Sequence, residues 1–214
     1  MVITWYGQSC FKIQSGETIL ITDPFSKEIG LTPPRGQVNI VTISHQHYDH
    51  NNLDTFSGAN PFIIDGPGEY EVKGINVRGV SVFHDKKEGK ERGVCTVYLI
   101  EIEGIKICHL SDLGQTKLTN EQLETLDGVD ILMIPVGGIY TISGEEAVDI
   151  INQIEPKIVI PMHYKISGLN VKIDGVEEFL KEMGVSKSQA VDKLTIKKKE
   201  LPEEEKTQVI VMKV

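Results

Sequence analysis

The short run HQHYDH holds four residues with metal-binding side chains, namely His45, His47, Asp49 and His50. Imidazole nitrogen and carboxylate oxygen are the usual ligands of catalytic zinc and of related divalent ions. Burying so many polar groups without a metal ion would leave costly unsatisfied hydrogen-bonding atoms. The run therefore predicts a metal site, and metal-assisted chemistry is the first hypothesis for this sequence.

A buried strand is predicted directly in front of HQHYDH, because residues 38–43 are mostly β-branched and apolar. In an extended backbone, His45 and His47 would project to the same side of the chain, where they can grip one ion. A turn that starts near Asp49 would bring Asp49 and His50 in from another direction. The sequence thus predicts a rigid support for the metal site.

Three further residues with suitable side chains follow predicted strands elsewhere in the chain. They are His84 in VSVFHD, Asp112 in CHLSDLG and His163 in IVIPMHY. Strand ends are the places where loops bring distant residues together over a rigid sheet. A single histidine at a strand end indicates little by itself, but together with HQHYDH all three are predicted to join one site.

The sixth histidine, His109, is expected to behave differently. Strand alternation places it on the same face as Ile105 and Ile107, whereas Asp112 lies beyond the strand end. His109 and Asp112 therefore cannot easily point at one cluster. We expect His109 to lie in the core or to orient a ligand through a hydrogen bond, in preference to binding an ion itself.

Length and charge bound the range of functions. The chain has 214 residues and a formal net charge of -9, from 31 acidic and 22 basic side chains. One domain spanning residues 1–214 is the simplest organisation for this length. The acidic balance repels phosphate backbones and anionic membrane surfaces, so we expect a small-molecule substrate and neither nucleic acid nor a membrane as partner. The oligomeric state is not predicted.

The N-terminus and the cysteines are typical of a cytoplasmic protein. The segment MVITWYGQSC lacks a basic start followed by an apolar stretch, and no apolar run approaches membrane-spanning length. Cys10, Cys95 and Cys108 are widely spaced and form no CxxC pair, which favours neither a disulfide framework nor a thiolate zinc site. We expect all three to be small buried hydrophobic residues.

Strand patterns dominate the first half of the chain. A meander of strands is predicted from Val2 to Thr22, and a short helix is predicted over residues 51–56. Further strands are predicted over residues 62–64, 70–73, 75–83, 94–102 and 105–110, and later over 131–134 and 157–160. The later strands alternate with helices, as in a β/α layer.

Helix signals appear in the second half. Capping-box spacings, Thr119 with Gln122 and Ser143 with Glu146, predict helices over residues 120–126 and up to residue 154. A third helix is predicted over residues 176–183, with Asp174 as its cap and Gly184 as its stop. The chain is predicted to end in a hairpin of residues 194–196 and 209–214, joined by the charged turn LPEEEK.

The ordered motifs resemble those of the metallo-β-lactamase-fold hydrolases, whose signature HxHxDH is matched by HQHYDH. The resemblance is closest to the small bacterial branch that includes ascorbate-6-phosphate lactonase-like proteins and predicted zinc-dependent hydrolases. It covers nearly the whole chain, since these segments occur in the family's order: WYGQSCF, TDP, HQHYDH, GPGEYEV, FHD, HLSDLG, IPVGG and IPMHY. Many relatives have a histidine where this chain has Gln8, so the chain departs from the family there.

The resemblance implies a fold and a set of ligands. The fold would be an α/β four-layer αββα sandwich with the site at one edge of the two packed sheets. Two divalent ions are implied, zinc in the first place, with manganese or iron as alternatives. The first ion would be held by His45, His47 and His84. The second would be held by Asp49, His50 and His163, and Asp112 would bridge the two ions.

Such a centre implies hydrolysis. Two divalent ions a few ångströms apart can share a hydroxide, lowering the pKa of water from about 15.7 toward 7. This metal-bridged hydroxide would attack a small ester, lactone, thioester or phosphodiester bond, and Asp49 would orient it or take its proton. The implied enzyme is thus a binuclear metal-dependent hydrolase.

Three other functions stay open. The first is an iron-dependent redox enzyme on the same scaffold, and the second is a non-catalytic protein in which the ions only stabilise the fold. An RNA-processing nuclease comes last, since neither an RNA-binding arm nor a basic surface is visible in the sequence.

The loop DKKEGKER, residues 85–92, has two interpretations. It could present Lys86, Lys87, Lys90 or Arg92 to an anionic group of the substrate. Its interspersed acids favour a solvated hairpin instead.

Two glycines and two tyrosines near the predicted site also have alternative roles. Gly137 and Gly138 could let backbone amides approach a substrate, or they could form a plain tight turn. Tyr140 and Tyr164 could act as acids near the metals, although packing in the core is the more common fate of a tyrosine.

Overall fold

In the computed structural model, which describes residues 1–186, 189–203 and 207–214, alternating apolar residues build the first sheet. Ile3 and Trp5 of the first strand are buried while their neighbours are partly exposed. The strands of this sheet are β1 (Val2–Gly7), β2 (Cys10–Ser15), β3 (Thr18–Thr22), β4 (Ile40–Thr42), β5 (Phe62–Ile64) and β12 (Leu194–Thr195). Their spatial order is β12-β1-β2-β3-β4-β5, and β3, β4 and β5 run parallel to one another.

A second sheet is formed by the remaining strands of the described residues. These are β6 (Gly68–Val72), β7 (Ile75–Phe83), β8 (Val94–Ile102), β9 (Ile105–His109), β10 (Ile131–Pro135), β11 (Ile158–Met162) and β13 (Gln208–Val209). Their order is β13-β11-β10-β9-β8-β7-β6. The strands β6 to β9 form an antiparallel meander, whereas β9, β10, β11 and β13 run parallel. All residues of β10 and β11 are buried, which explains their continuous apolar sequences.

The two sheets pack face to face. Ile3, Phe11 and Leu20 of the first sheet and Val77 and Leu99 of the second belong to one buried cluster. The helices α1 (Asn120–Thr125) and α2 (Gly144–Ile154) contact the second sheet at β7 and β10, and α3 (Glu177–Glu182) packs against α2.

Loops and short 3-10 turns cover the outer face of the first sheet. Phe25, Ile29 and Leu169 from these loops are buried against Ile21 and Val41 of its strands. The predicted α/β four-layer sandwich is confirmed, with loops and 3-10 turns in place of α-helices in this outer layer. No helix in the described part of the chain is both long and apolar enough to cross a bilayer.

Several local predictions are confirmed. The strands over residues 75–83 and 94–102 have the predicted bounds. Both capping boxes form, because Thr119 accepts a hydrogen bond from the backbone of Gln122 and Ser143 accepts one from that of Glu146, with the reciprocal bonds also present. The predicted helix over residues 51–56 is only a 3-10 turn at Asp54–Phe56.

The predicted closing hairpin is wrong. Strand β12 pairs antiparallel with β1 in the first sheet, whereas β13 pairs parallel with β11 in the second. Each segment instead covers a free sheet edge, where unpaired backbone groups are available. Residues 204–206 of the predicted turn LPEEEK lie outside the described residues.

The predicted cap of the third helix is also wrong. Val176 occupies the cap position of α3, and no side chain caps the helix there. The backbone of Asp174 is engaged elsewhere, since its N–H donates to the carbonyl of Gly137 and its carbonyl accepts from Lys165. Gly184 follows α3 with a φ of 67°, as its predicted role as a stop requires.

Candidate metal centre

Strand ends from both sheets meet at the candidate metal centre. In the first sheet, the parallel strands β3 and β4 lead into Asp23 and the HQHYDH run. In the second sheet, His84 follows β7, Asp112 lies beyond β9, and His163 follows β11. Binding sites commonly lie beyond the carboxyl ends of parallel strands in open α/β sheets. The fold therefore carries side chains from distant parts of the sequence to one place.

Three groups of side chains in the described residues could each hold a metal ion. Within each group, the candidate ligand atoms lie within 4.8 Å of one another. The groups are His45, His47 and His84; His45, His50 and Asp112; and Asp49, His50 and His163. All seven residues predicted as ligands occur in these groups, so the structure brings the whole predicted set together.

Asp112 lies at the centre of this arrangement. Its Oδ2 atom is 3.2 Å from Nε2 of His50, 3.6 Å from Nε2 of His84 and 4.0 Å from Nε2 of His45. Its Oδ1 atom is 3.4 Å from Nε2 of His163. One carboxylate thus faces histidines from both outer groups, which is the geometry that a bridging ligand needs.

The first group forms in a bent loop and not in an extended strand. The strand β4 ends at Thr42, and the chain bends at His45 before a turn in which the N–H of His50 donates to the carbonyl of His47. Nε2 of His45 and Nδ1 of His47 nevertheless approach to 2.8 Å. The predicted convergence of these two rings is correct, but the predicted extended backbone is wrong.

The second group includes a contact to Gln8. The Oδ2 atom of Asp49 is 3.7 Å from Nε2 of His50. The amide nitrogen of Gln8 donates to the same Oδ2 atom at 3.3 Å and lies 3.2 Å from Nε2 of His163. Gln8 is fully buried. The position at which the chain departs from the family therefore contacts two candidate ligands directly.

The chemistry of the donor set fits a metal ion. Nε2 of His50 is buried and has no hydrogen-bond partner, although Asp112 and Asp49 lie close to it. A buried polar atom without a partner is costly, and a metal ion at this position would satisfy it. Histidines and carboxylates in these numbers are the ligands of zinc, iron and manganese sites.

Asp23 contacts the ring of His50 on the side away from the other candidate ligands and was not among the site residues predicted from the sequence. One of its carboxylate oxygens is 3.0 Å from Nδ1 of His50 and accepts hydrogen bonds from the hydroxyls of Ser44 and Ser111. The other accepts from the backbone N–H of Ser44. A carboxylate behind a histidine fixes its ring orientation and tautomer. The signal was present in TDP, where an acid follows a buried strand next to the strand that leads into HQHYDH.

Charges inside the centre follow from burial and close pairing. Burial, together with the neighbouring His50, lowers the pKa of His45 to about 3, so its ring is neutral and keeps a free lone pair. Burial disfavours the charged form of His50, but Asp112 and Asp23 outweigh it and raise its pKa. Burial would also raise the pKa of Asp112, yet His163 and His50 hold it well below the usual range. A metal ion at Nε2 of His50 would compete with the proton that the carboxylates of Asp112 and Asp23 favour.

Left-handed backbone conformations cluster around the centre. Gln8, Asp23, Ser111 and His163 have φ values between 37° and 50°. Non-glycine residues in this region carry a conformational cost and concentrate at functional sites. Each of the four directly follows a strand or lies just beyond one. The strained residues therefore lie where the strands end and the candidate site begins.

His109 lies outside the three ligand groups. It is fully buried, its ring packs edge-on against Phe11, and its Nε2 is 2.7 Å from the carbonyl of Ser9. The hydroxyl of Ser9 donates to Oδ1 of Asp112 at 3.3 Å. His109 thus contacts the centre through Ser9, and its predicted role in orienting a ligand stays a prediction.

The glycines after β10 serve close packing. A Cβ atom on Gly137 would lie 2.1 Å from the carbonyl oxygen of His163, so only glycine allows this approach. Gly138 has a φ of 57°, and its N–H donates to Ile142 within a tight turn. Of the two interpretations given above, the structure therefore favours the turn.

The two tyrosines differ in position. Tyr164 is buried, and its hydroxyl donates to the carbonyl of Met212, away from the candidate ligands. Tyr140 is 38% exposed and lines a cavity of about 850 Å³ at the centre. His47, Asp49 and Asp112 line the same cavity, which gives a small molecule access to the ligand set.

A sequence profile of the β-lactamase superfamily domain matches residues 2–163. The chain belongs to this superfamily. Among solved structures, it is similar to a presumed zinc-dependent hydrolase of the metallo-β-lactamase superfamily from Thermotoga maritima, with a TM-score of 0.78, 35% identity and coverage of 99% of both chains.

Curated relatives are UPF0173 proteins, some of which are described as metal-dependent hydrolases. The chain is 30% identical to a UPF0173 protein from Pyrococcus furiosus, covering 86% of this chain and 90% of that protein. It is 28% identical to a UPF0173 metal-dependent hydrolase from Thermoplasma volcanium, covering 76% of this chain and 82% of the relative. The chain is thus a member of a metal-dependent hydrolase family of the metallo-β-lactamase superfamily, as its ordered motifs predicted.

Proposed function

We propose that the protein is a binuclear enzyme that hydrolyses a small ester, lactone, thioester or phosphodiester bond with two zinc ions. When bound, two such ions supply a hydroxide at neutral pH and polarise the substrate oxygen. The observation that carries the proposal is the position of Asp112, whose carboxylate lies within 4.0 Å of Nε2 of four histidines. A carboxylate that faces histidines of both outer groups is suited to bridging two ions.

The chain's own residues divide the work. His45, His47 and His84 would hold the first ion, Asp49, His50 and His163 the second, and Asp112 would span both.

Asp49 would also handle the proton. Its side chain is 13% exposed and lines the cavity, so a substrate can reach it. The amide of Gln8 donates to its Oδ2 atom and holds the carboxylate in place. Asp49 would accept the proton released during attack and return it to the leaving group. A carboxylate within hydrogen-bond reach of the reacting atoms can act as a general base, and Asp49 would take this role for a substrate in the cavity.

A substrate panel tests this proposal. Zinc-reconstituted protein is assayed against lactones, carboxylic esters, thioesters and phosphodiesters, with His47→Ala as the site variant. His47 is exposed, so its loss leaves the core intact while the first ion loses a ligand. We expect one bond class to be turned over, with a drop of at least about 100-fold in the variant. A matched control is Asn51→Ala in the same loop, whose amide donates to the backbone and side-chain oxygens of Gln46.

Two results would contradict hydrolysis. Iron with visible absorbance in the purified protein, in place of zinc or manganese, would favour the redox alternative. Full metal occupancy without turnover of any bond class would favour a non-catalytic metal-binding protein.

Four other expectations from the sequence stay predictions. They are the cytoplasmic location, the small-molecule partner, the absence of nucleic-acid and membrane partners, and the single domain.

A further inference from the structure

The loop over residues 85–92 is a rigid structure built around one carboxylate. Oδ1 of Asp85 accepts hydrogen bonds from the backbone N–H groups of Lys87 and Gly89, and Oδ2 accepts from those of Glu91 and Arg92. These four donors lie between 2.7 and 3.0 Å from the carboxylate. Asp85 directly follows the candidate ligand His84, so the loop is fixed relative to the metal centre.

The cations of this loop have different fates. Lys86 pairs with Glu146, Lys87 pairs with Glu91, and Lys90 pairs with Glu88. Arg92 has no carboxylate within 4.0 Å among the residues that the structure describes. Its guanidinium instead lies over the ring of Tyr140, 5.3 Å from the ring centre. A cation held in this way keeps its hydrogen-bond donors available for another group.

Arg92 shares a cavity with the candidate ligands. The cavity of about 850 Å³ is lined by Arg92 and Tyr140 as well as by His47, Asp49 and His84. Glu91 also lines it, but the carboxylate of Glu91 is paired with Lys87 at 2.6 Å. A molecule in this cavity therefore meets the metal centre and a free guanidinium at the same time.

We infer that Arg92 is a specificity-determining residue that binds a carboxylate of the substrate, placed away from the bond that is cleaved. This inference rests on the proposed hydrolysis and names its substrate class, a small organic acid derivative. The planar guanidinium offers two parallel donors that match a carboxylate. Lys172 and Glu28 line the same cavity with opposite formal charges, so Arg92 adds one net positive charge beside the metal centre, which matches the single negative charge of a carboxylate.

A binding experiment tests the inference without turnover. Metal-loaded wild type, Arg92→Gln and Lys90→Gln are titrated calorimetrically with succinate, glutarate and adipate, and with butyrate, pentanoate and hexanoate. A monocarboxylate can engage either the metal centre or Arg92, whereas a dicarboxylate of suitable length can engage both at once. We expect wild type to prefer the best-fitting dicarboxylate by about 10- to 100-fold over its monocarboxylate, as for a charge-assisted pair.

The variants decide the assignment. Arg92→Gln should lose this preference, Arg92→Lys should keep part of it, and Lys90→Gln should keep all of it, because Lys90 is an exposed loop cation paired with Glu88. Retention of the preference in Arg92→Gln would overturn the inference. Tighter binding of 3-phosphonopropionate than of succinate, lost in Arg92→Gln, would overturn the carboxylate assignment in favour of a phosphate.

Turnover separates this inference from the proposed function. The p-nitrophenyl hemiester of the best dicarboxylate is compared with the neutral p-nitrophenyl ester of its monocarboxylate. We expect wild type to favour the hemiester through a lower KM, and Arg92→Gln to lose that advantage. Turnover of both esters without any preference would overturn the role of Arg92 and leave hydrolysis standing. Absence of turnover of both esters and of all four bond classes in the substrate panel, with an Arg92-dependent binding preference, would overturn hydrolysis and support the carboxylate site.

Discussion

Asp23 connects His50 to Ser44 and Ser111 by hydrogen bonds. Its carboxylate is fully buried and contacts Nδ1 of His50, the hydroxyl and backbone N–H of Ser44 and the hydroxyl of Ser111. Burial would raise its pKa, but His50 lowers it to about 2, so the group is charged at neutral pH. A residue that binds no ion thus fixes the orientation of one that is proposed to do so.

We predict that Asp23→Asn weakens binding of the second ion by about 10- to 100-fold, as expected when a carboxylate behind a metal-binding histidine is lost. Asparagine keeps the size of the side chain but removes the charge and one acceptor. Zinc affinity is measured by competition with a chromophoric chelator. Asp65→Asn is the matched control, since Asp65 follows the parallel strand β5 but is exposed. Equal affinities of Asp23→Asn and wild type would contradict this role.

At the scale of elements, features with local sequence signals were predicted more accurately than strand pairings between distant segments. The capping boxes at Thr119 and Ser143 depend on residues three positions apart, and both formed as predicted. The closing hairpin failed because β12 and β13 pair with β1 and β11, which lie far away in the sequence. Which strands pair in this way depends on which sheet edges are free in the folded chain, and the local sequence does not indicate those edges.

Some residues of the site could be predicted from the sequence and others could not. The run HQHYDH and the strand-end positions of His84 and His163 carry their chemistry in residue type and spacing. Asp23 carries only the weaker signal of an acid after a buried strand, and Gln8 carries none, because the contacts of both arise only when distant strands meet. The interpretation of the loop 85–92 also required the structure, since its sequence does not distinguish Arg92 from the three paired lysines.

Asp85 should determine whether this loop is ordered. We predict that Asp85→Ala speeds hydrogen exchange of the backbone amides of residues 87–92 by about tenfold or more. Four N–H groups of this segment donate to the carboxylate of Asp85, and the substitution removes that acceptor. Exchange is followed by mass spectrometry on peptides that span the loop. Glu88→Gln is the control, because its exposed carboxylate pairs with the side chain of Lys90 and, among the described residues, accepts no backbone hydrogen bond. Unchanged exchange in Asp85→Ala would show that the loop is held by other contacts.

At the scale of the whole molecule, Asp130 connects the second sheet to the end of the chain. Its buried carboxylate accepts from the backbone N–H of Lys106 and from the ammonium groups of Lys157 and Lys198. Burial would raise the pKa of Asp130, but these donors hold it below its ordinary value. Because its pKa is lower in the folded state, Asp130 stabilises the fold at pH values above the ordinary aspartate pKa of about 3.9. This stabilisation is lost as the pH falls through the lowered pKa.

We therefore predict that Asp130→Asn lowers the melting temperature most at neutral pH, and that its difference from wild type shrinks below about pH 4. Melting is followed by circular dichroism on chelator-treated protein, so that loss of metal in acid does not contribute. Asp127→Asn, which changes an exposed neighbour, should show no such trend. A constant difference from pH 7 to pH 3 would mean that the charge of Asp130 does not stabilise the fold.

The number of metal ions per chain is the most direct test of the proposed centre. Chelator-treated protein is titrated with zinc and weighed by native mass spectrometry. Because Asp112 faces histidines of both outer groups, two ions per chain are predicted to bind at saturation. Saturation at a single ion, or at none, would contradict the two-metal centre on which the proposed hydrolysis depends.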